Sequence, residues 1–328
     1  MKNEVVLKVE GLVKEFKIGR FPRVKTLRAV NKVDFEIGQS EVLGLVGESG
    51  SGKSTVARVI VRLYTPTAGR LSLDGKEIPR RMGRHTLRTY HKNVQMIFQD
   101  PFSSLNPVHT IRYTLSRPLR IHGIARGKAL EATIKALLER CGLTPAERYW
   151  EKYPYELSGG ERQRVGIARV LAVDPKLVLA DEPTSMLDVS IRLDIMNLML
   201  DLKDEQGLSY LFITHDLAGA HYMCDRIAIM YAGHLVEIGP SDTVINEPEH
   251  PYTQLLNQAA PKPEQGLAFE RVETAGDMVD LTALPPGCPF EPRCPHARTQ
   301  CGERLPEMVE LNPGHWVRCV LRGGQRST

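Results

Sequence analysis

The segment GESGSGKST, residues 47–55, limits the fold more than any other part of the chain. It fits G-x-x-x-x-G-K-[ST], with Gly47, Gly52, Lys53 and Ser54 at the fixed places. Glycines let the backbone wrap so that successive N–H groups, those of Ser49, Gly50 and Thr55 among them, point at phosphate oxygens. Lys53 adds a cation for the β- and γ-phosphates, and the Ser54 hydroxyl is placed to ligate Mg²⁺. Such a loop works only between a buried strand and the N-terminus of a helix, whose dipole favours anions. The flanks agree. EVLGLVG (41–47) is a short apolar run ending in glycine, as buried parallel strands do, and a helical pattern follows.

The remaining periodicity fills out an α/β domain. VVLKV and KVDFEI alternate, which puts Val33, Phe35 and Ile37 on one face, and RLSLDGKEI carries an Asp74-Gly75 hairpin signal. Between about 100 and 157 the texture turns helical: Ala129, Ala132, Ile134, Leu137, Leu138 and Cys141 recur at helical spacing before Gly142. Strand and helix patterns then alternate through KLVLADE (176–182), IRLDIMNLMLDLKDEQG, LSYLFITHD and a final hairpin, IAIMYAGHLVEIG. After residue 260 the periodicity stops and proline becomes frequent. The expected organisation is a domain over 1–260, containing a helical subdomain at about 100–157, and a loop-rich extension over 261–328.

KLVLADEP places Asp181 and Glu182 at the carboxyl end of an apolar strand, where open α/β sheets bind ligands. Asp181 suits Mg²⁺ and Glu182 suits a general base that polarises the attacking water. Composition excludes other classes. The chain carries 43 Lys and Arg against 39 Asp and Glu, a net charge of +4, which argues against a nucleic-acid partner. The first residues show no secretory signal and no run approaches the roughly 18 apolar residues of a membrane span. A cytoplasmic protein is expected, and any membrane role would come through a partner.

Further segments complete a pattern. Leu157-Ser158-Gly159-Gly160, followed by a basic helix and the 176–182 strand, resembles the signature of the ABC ATPases. Gln99 in MIFQDP resembles the Q-loop, SMLD (185–188) with Asp188 the D-loop, and His215 in FITHD the switch histidine. The resemblance implies a P-loop ABC-type nucleotide-binding domain, with a parallel sheet core, an antiparallel β subdomain and a helical insertion. It implies that Gln99, Glu182 and His215 act on the γ-phosphate and the water. It implies further that Ser158, Gly159, Gly160 and Glu161 face the ATP of an opposite subunit. Phe16 is the expected adenine-stacking aromatic, with Phe21 the alternative. Two positions depart from the family: Glu161 stands where Gln is usual, and Met186 where Ala is usual.

GLVGESGSGKST, MIFQDPFSSLNP, HPYTQLL and the tail GCPFEPRCPHARTQC…GHWVRC together resemble the ATP-binding subunits of oligopeptide/dipeptide importers. This implies an ATP- and Mg²⁺-dependent ATPase that pairs with a second ATPase subunit under two membrane permeases. An extracytoplasmic solute-binding protein would feed them, and the subunit would sit peripherally on the cytoplasmic face of the membrane. Importers of oligosaccharides or nickel use the same subunit type, and a soluble non-transport ABC ATPase is the competing class. The latter fits poorly, because no long coiled coil separates Lys53 from Ser158 and only one cassette is present.

The tail carries Cys288, Cys294, Cys301 and Cys319. A reducing compartment disfavours disulfides, and the short Cys pairs of structural zinc sites are missing. Four thiolates with proline beside two of them suit an iron–sulfur cluster, and the resemblance points to [4Fe–4S]. Zinc, with His296 or His315 replacing a cysteine, and plain apolar packing are the alternatives. Whichever holds, the cysteines are expected to staple the extension rather than to touch ATP.

Overall fold

The computed structural model describes residues 4–20, 22–100, 104–259 and 279–322. Phe21 lies outside them. The chain divides into two compact units, one of Met1–Val6, Gly38–Glu41 and Pro79–Leu211, the other of Leu7–Ile37, Val42–Ile78 and Phe212–Thr328.

The second of these begins with two long strands, β1 (Val5–Ile18) and β2 (Lys25–Gly38), and the fully buried β3 (Val42–Val46). Val33, Phe35 and Ile37 all face the core, as their alternation requires. The phosphate-type loop follows β3 and leads into α1 (Lys53–Ile60). Next come β4 (Ala68–Leu73) and β5 (Lys76–Glu77), an antiparallel pair turned by Asp74 and Gly75, both at positive φ. β4 also pairs with β1, so a small antiparallel sheet runs β2-β1-β4-β5.

The other unit is mostly helical. It holds α2 (Arg84–Asn93), β6 (Val94–Ile97), α3 (Ile111–Ile121), α4 (Gly127–Arg140), α5 (Gly159–Leu171), β7 (Leu177–Asp181) and α6 (Val189–Gln206). Thr110 caps α3 by accepting from the Tyr113 N–H. α4 buries Leu130, Ile134, Leu137 and Leu138, and Cys141 behind it is fully buried. Ala129 and Ala132, expected on that face, are exposed; Leu130 takes the core position. β6 and β7 are parallel neighbours, with Val94 opposite Leu177 and Ile97 opposite Ala180.

The chain crosses from this unit to the other within β8 (Ser209–Thr214). Beyond it lie α7 (Leu217–Met223), β9 (Arg226–Tyr231), β10 (His234–Pro240), α8 (Ser241–Asn246) and α9 (Pro251–Ala259). β9 runs parallel to β3 and antiparallel to β10. The C-terminal segment adds α10 (Thr299–Glu303) and the hairpin β11 (Val309–Asn312) and β12 (His315–Val317). β12 pairs with β10, Glu237 opposite Val317, so the extension lengthens the sheet that carries β3. That join is fixed by Glu237, whose buried carboxylate accepts from His315 Nε2 at 2.8 Å and from the Glu249 and His250 backbone N–H groups. No helix among the described residues is long and apolar enough to cross a membrane.

Candidate functional site

The loop after β3 is held by backbone close approach. A Cβ on Gly52 would collide with the Ala29 carbonyl, and its φ of 106° belongs to glycine. Inside the loop the Lys53 ammonium, 4% exposed, donates to the Gly47 carbonyl at 2.7 Å and the Glu48 carbonyl at 2.8 Å. Ser49 and Gly50 are exposed, and Ser54 and Thr55 open the first turn of α1. The loop sets one cation beside the N-terminus of α1, an arrangement that suits an anion.

Phe16, half-buried near the end of β1, packs edge-on against Tyr64 at 5.3 Å, with the Lys14 ammonium 4.8 Å over its ring. His215 is exposed just past β8. The next residue, Asp216, caps α7 by accepting from the Ala218 N–H.

In the other unit, Asp181 is 2% exposed at the end of β7. Glu182 follows at φ 46°, an unusual conformation for a residue with a side chain and one that concentrates at functional positions. Its carbonyl accepts from the Ser185 hydroxyl at 3.0 Å. Gln99 Nε2 donates to Glu182 Oε2 at 3.0 Å, so two residues singled out from separate motifs meet. Asp188 stands at the N-cap of α6, with Met186 exposed before it.

The 158–161 segment forms a capping box at the start of α5. The Glu161 N–H donates to Ser158 Oγ, and the Glu161 carboxylate accepts from the Ser158 N–H at 2.8 Å. Burial raises the Glu161 pKa, but the hydrogen bonds of Ser158 and the nearby Lys152 ammonium outweigh it, and the group sits below its ordinary range. The Ser158 hydroxyl accepts in the box and keeps its own hydrogen for another acceptor. Gly160 is buried where a Cβ would press on Ile191, so the start of α5 lies close on α6.

The C-terminal segment reaches the phosphate-type loop, which the sequence did not indicate. Arg293 forks onto Glu48, Nη1 to Oε2 at 2.9 Å and Nη2 to Oε1 at 3.0 Å. The Tyr252 hydroxyl accepts from the Glu48 N–H at 2.9 Å. Val279 and Leu281 line a pocket with Glu48, Ser49, Gly50 and Ser51.

Cys288, Cys294, Cys301 and Cys319 are all free thiols and line one pocket with His250, Phe290 and Glu291. Burial pushes the Cys288 thiol up to about 11 and also raises Cys294 and Cys319. Among the described residues, no group of three or more His, Cys, Asp or Glu is arranged to hold a metal ion. Cys141 and Cys224 are core residues, as expected.

Residues 30–185 match the family described as ABC transporter, and residues 236–301 match the oligopeptide/dipeptide transporter C-terminal region. A putative oligopeptide transport ATP-binding protein of Bacillus subtilis, YkfD, is 42% identical over 324 residues, 98% of this chain and 97% of the relative. The chain belongs to the ABC transporter ATP-binding proteins of the oligopeptide/dipeptide type. A second Bacillus subtilis member, the oligopeptide transport ATP-binding protein AppF, is 41% identical over 97% of this chain and 98% of its own length. Among solved structures, a dimeric post-hydrolysis ATP-binding cassette bound to ADP and Pi superposes with a TM-score of 0.64 at 29% identity. It covers 72% of this chain and 98% of that cassette. An ABC ATPase of this fold binds and hydrolyses ATP with Mg²⁺, as the loop's chemistry requires.

Proposed function

We propose that this ABC subunit energises a peptide importer, working with a second ATPase subunit under two membrane permeases on the cytoplasmic face of the membrane. The observation that carries the reading is the near-full-length match to peptide-import ATP-binding proteins, extension included. Lys53, Ser54 and the backbone N–H groups of Gly47, Ser49, Gly50, Gly52 and Thr55 bind the phosphates, and Ser54 and Asp181 hold Mg²⁺. Glu182 takes the proton of the attacking water, while Gln99 and His215 orient that water. Phe16 stacks on adenine. Ser158, Gly159 and Gly160 donate to the ATP of the opposite subunit, and Asp188 sits beside that junction. A solute-binding protein outside the membrane delivers the cargo to the permeases.

The decisive experiment is affinity isolation of the detergent-solubilised complex followed by peptide uptake in cells lacking the gene. Two polytopic permeases co-purify and uptake stops; a subunit isolated without any membrane partner overturns the reading. In the assembled complex, Glu182→Gln retains ATP binding and loses about 10³-fold in turnover, whereas Lys53→Ala weakens binding itself. Ordinary steady-state hydrolysis by the Gln variant would remove Glu182 from its role.

The four tail thiols support a thiolate-bound group. The donor set, four soft ligands lining one pocket, suits iron–sulfur ligation by its chemistry, while the arrangement of the described residues is not that of a formed metal site. Cys288, Cys294, Cys301 and Cys319 would hold a [4Fe–4S] cluster, which would crosslink the segment. Anaerobic purification is expected to give about four iron and four sulfide per chain. Stoichiometric zinc without iron points to the zinc alternative, and metal-free protein to packing alone.

A further inference from the structure

We propose that Arg293, from the cysteine-bearing C-terminal segment, is a positioning residue for the ATP site, setting nucleotide affinity by clamping Glu48 of the phosphate loop. The proposal rests on reading residues 47–55 as the ATP site. Its physical origin is a liability in the sequence. The loop collects N–H donors to receive a highly charged triphosphate, yet its second residue is a carboxylate. Left loose, that carboxylate would compete for the same donors and repel the phosphates.

The structure disarms it completely. All three polar groups of residue 48 are occupied from defined directions. Its N–H donates to the Tyr252 hydroxyl, its carbonyl accepts from Lys53 Nζ, and its two carboxylate oxygens take the two arms of Arg293. A guanidinium fork matches a carboxylate in this way, and a lysine cannot, since it offers a point charge. Arg293 is itself locked. Its side chain is 7% exposed, its Nη1 reaches the Tyr231 hydroxyl at 3.4 Å, and it lies 5.8 Å from the Tyr231 and Phe290 ring centroids. Tyr231, Tyr252 and Phe290 pack on one another at 4.6 to 5.4 Å. The clamp therefore runs from a rigid aromatic cluster through Glu48 to the ammonium of Lys53.

The backbone that presents Arg293 belongs to the cysteine pocket. Arg293 ends a single 3-10 turn, Glu291–Arg293, between Cys288 and Cys294, and both cysteines line that pocket with Phe290. The Cys288 carbonyl accepts from the Glu291 N–H, and the Cys288 N–H donates to the Cys301 carbonyl at 2.7 Å. The pocket thus frames the turn from which the clamp projects.

The test uses the purified full chain and equilibrium binding of a fluorescent ATP analogue, with ATPase kinetics in the assembled complex. Arg293→Ala is expected to weaken binding about tenfold and to raise KM by a similar factor, with kcat changed less than twofold. Arg293→Lys recovers part of the loss, since charge returns without the fork. In a Glu48→Gln background the same Arg293→Ala change costs less than threefold, because no carboxylate remains to be neutralised. Binding by Arg293→Ala within twofold of the unmodified chain overturns the proposal. So does an equal loss in both backgrounds, which marks a general packing defect. Failure of the unmodified chain to bind the analogue, or undiminished binding by Lys53→Ala, would instead bring down the reading of the ATP site and the proposal with it.

Discussion

At the level of single residues, the ATP motifs are legible because each is local: a few consecutive positions fix a loop, a strand end or a helix start. The departure at Glu161 was legible as an extra negative charge, but its role was not. In the structure its carboxylate accepts from the Ser158 N–H and completes a capping box, a job glutamine performs without charge. Glu161→Gln is therefore expected to leave stability within about 0.5 kcal/mol while strengthening ATP-dependent dimerisation, checked by denaturant melts and by gel filtration of the Glu182→Gln variant with ATP. Glu161→Ala loses the reciprocal bond and costs about 1 kcal/mol. Arg293 gave no such signal. Its partner lies 245 residues away, and nothing in a Pro-Arg-Cys run announces a phosphate loop as its destination.

Elements were readable where periodicity is strong and unreadable where packing alone decides. α4 and α6 announce themselves through apolar spacing. α2 buries only Tyr90 in ten residues, and β6 has four, so neither offers a window in which a period shows. The hairpin β11–β12 escaped for a related reason: the tail's prolines suggest loop, while β10 supplies the edge that makes it sheet. Two predictions belong to that junction. His315→Ala withdraws a side-chain donor from the fully buried Glu237 carboxylate and should cost about 2 kcal/mol, against little for the half-exposed Trp316→Ala, read from denaturant midpoints. His234, at the start of β10, is buried, a change that lowers its pKa from 6.5 to about 4 despite the raising effect of its bond to the Ala232 carbonyl. Arg318 and Arg28 lower it further. Between those pH values the unfolded chain binds a proton that the folded chain refuses. Stability is therefore full above pH 6.5 and falls by up to about 3 kcal/mol as the pH drops toward 4. Denaturant titrations across that range should show stability falling with pH, and His234→Gln should reduce the slope without abolishing it, because burial lowers the His250 pKa to about 4 as well.

At the scale of the whole molecule, the α/β class and the ABC assignment follow from motif order, whereas the division of the chain does not. The unit that carries the phosphate loop is assembled from both ends of the sequence, and the unit with Ser158, Asp181 and Glu182 is inserted between them. β3 finds its parallel neighbour β9 about 180 residues downstream, and the clamp on Glu48 arrives later still. That placement has a consequence for synthesis. A ribosome adding about 10 residues per second needs roughly 20 s after making the loop to deliver the strand beside it, and longer to deliver Arg293. Until then the nascent chain carries a phosphate loop with neither frame nor clamp. A prematurely terminated product would contain every ATP motif through the D-loop and still lack what holds the first of them in shape.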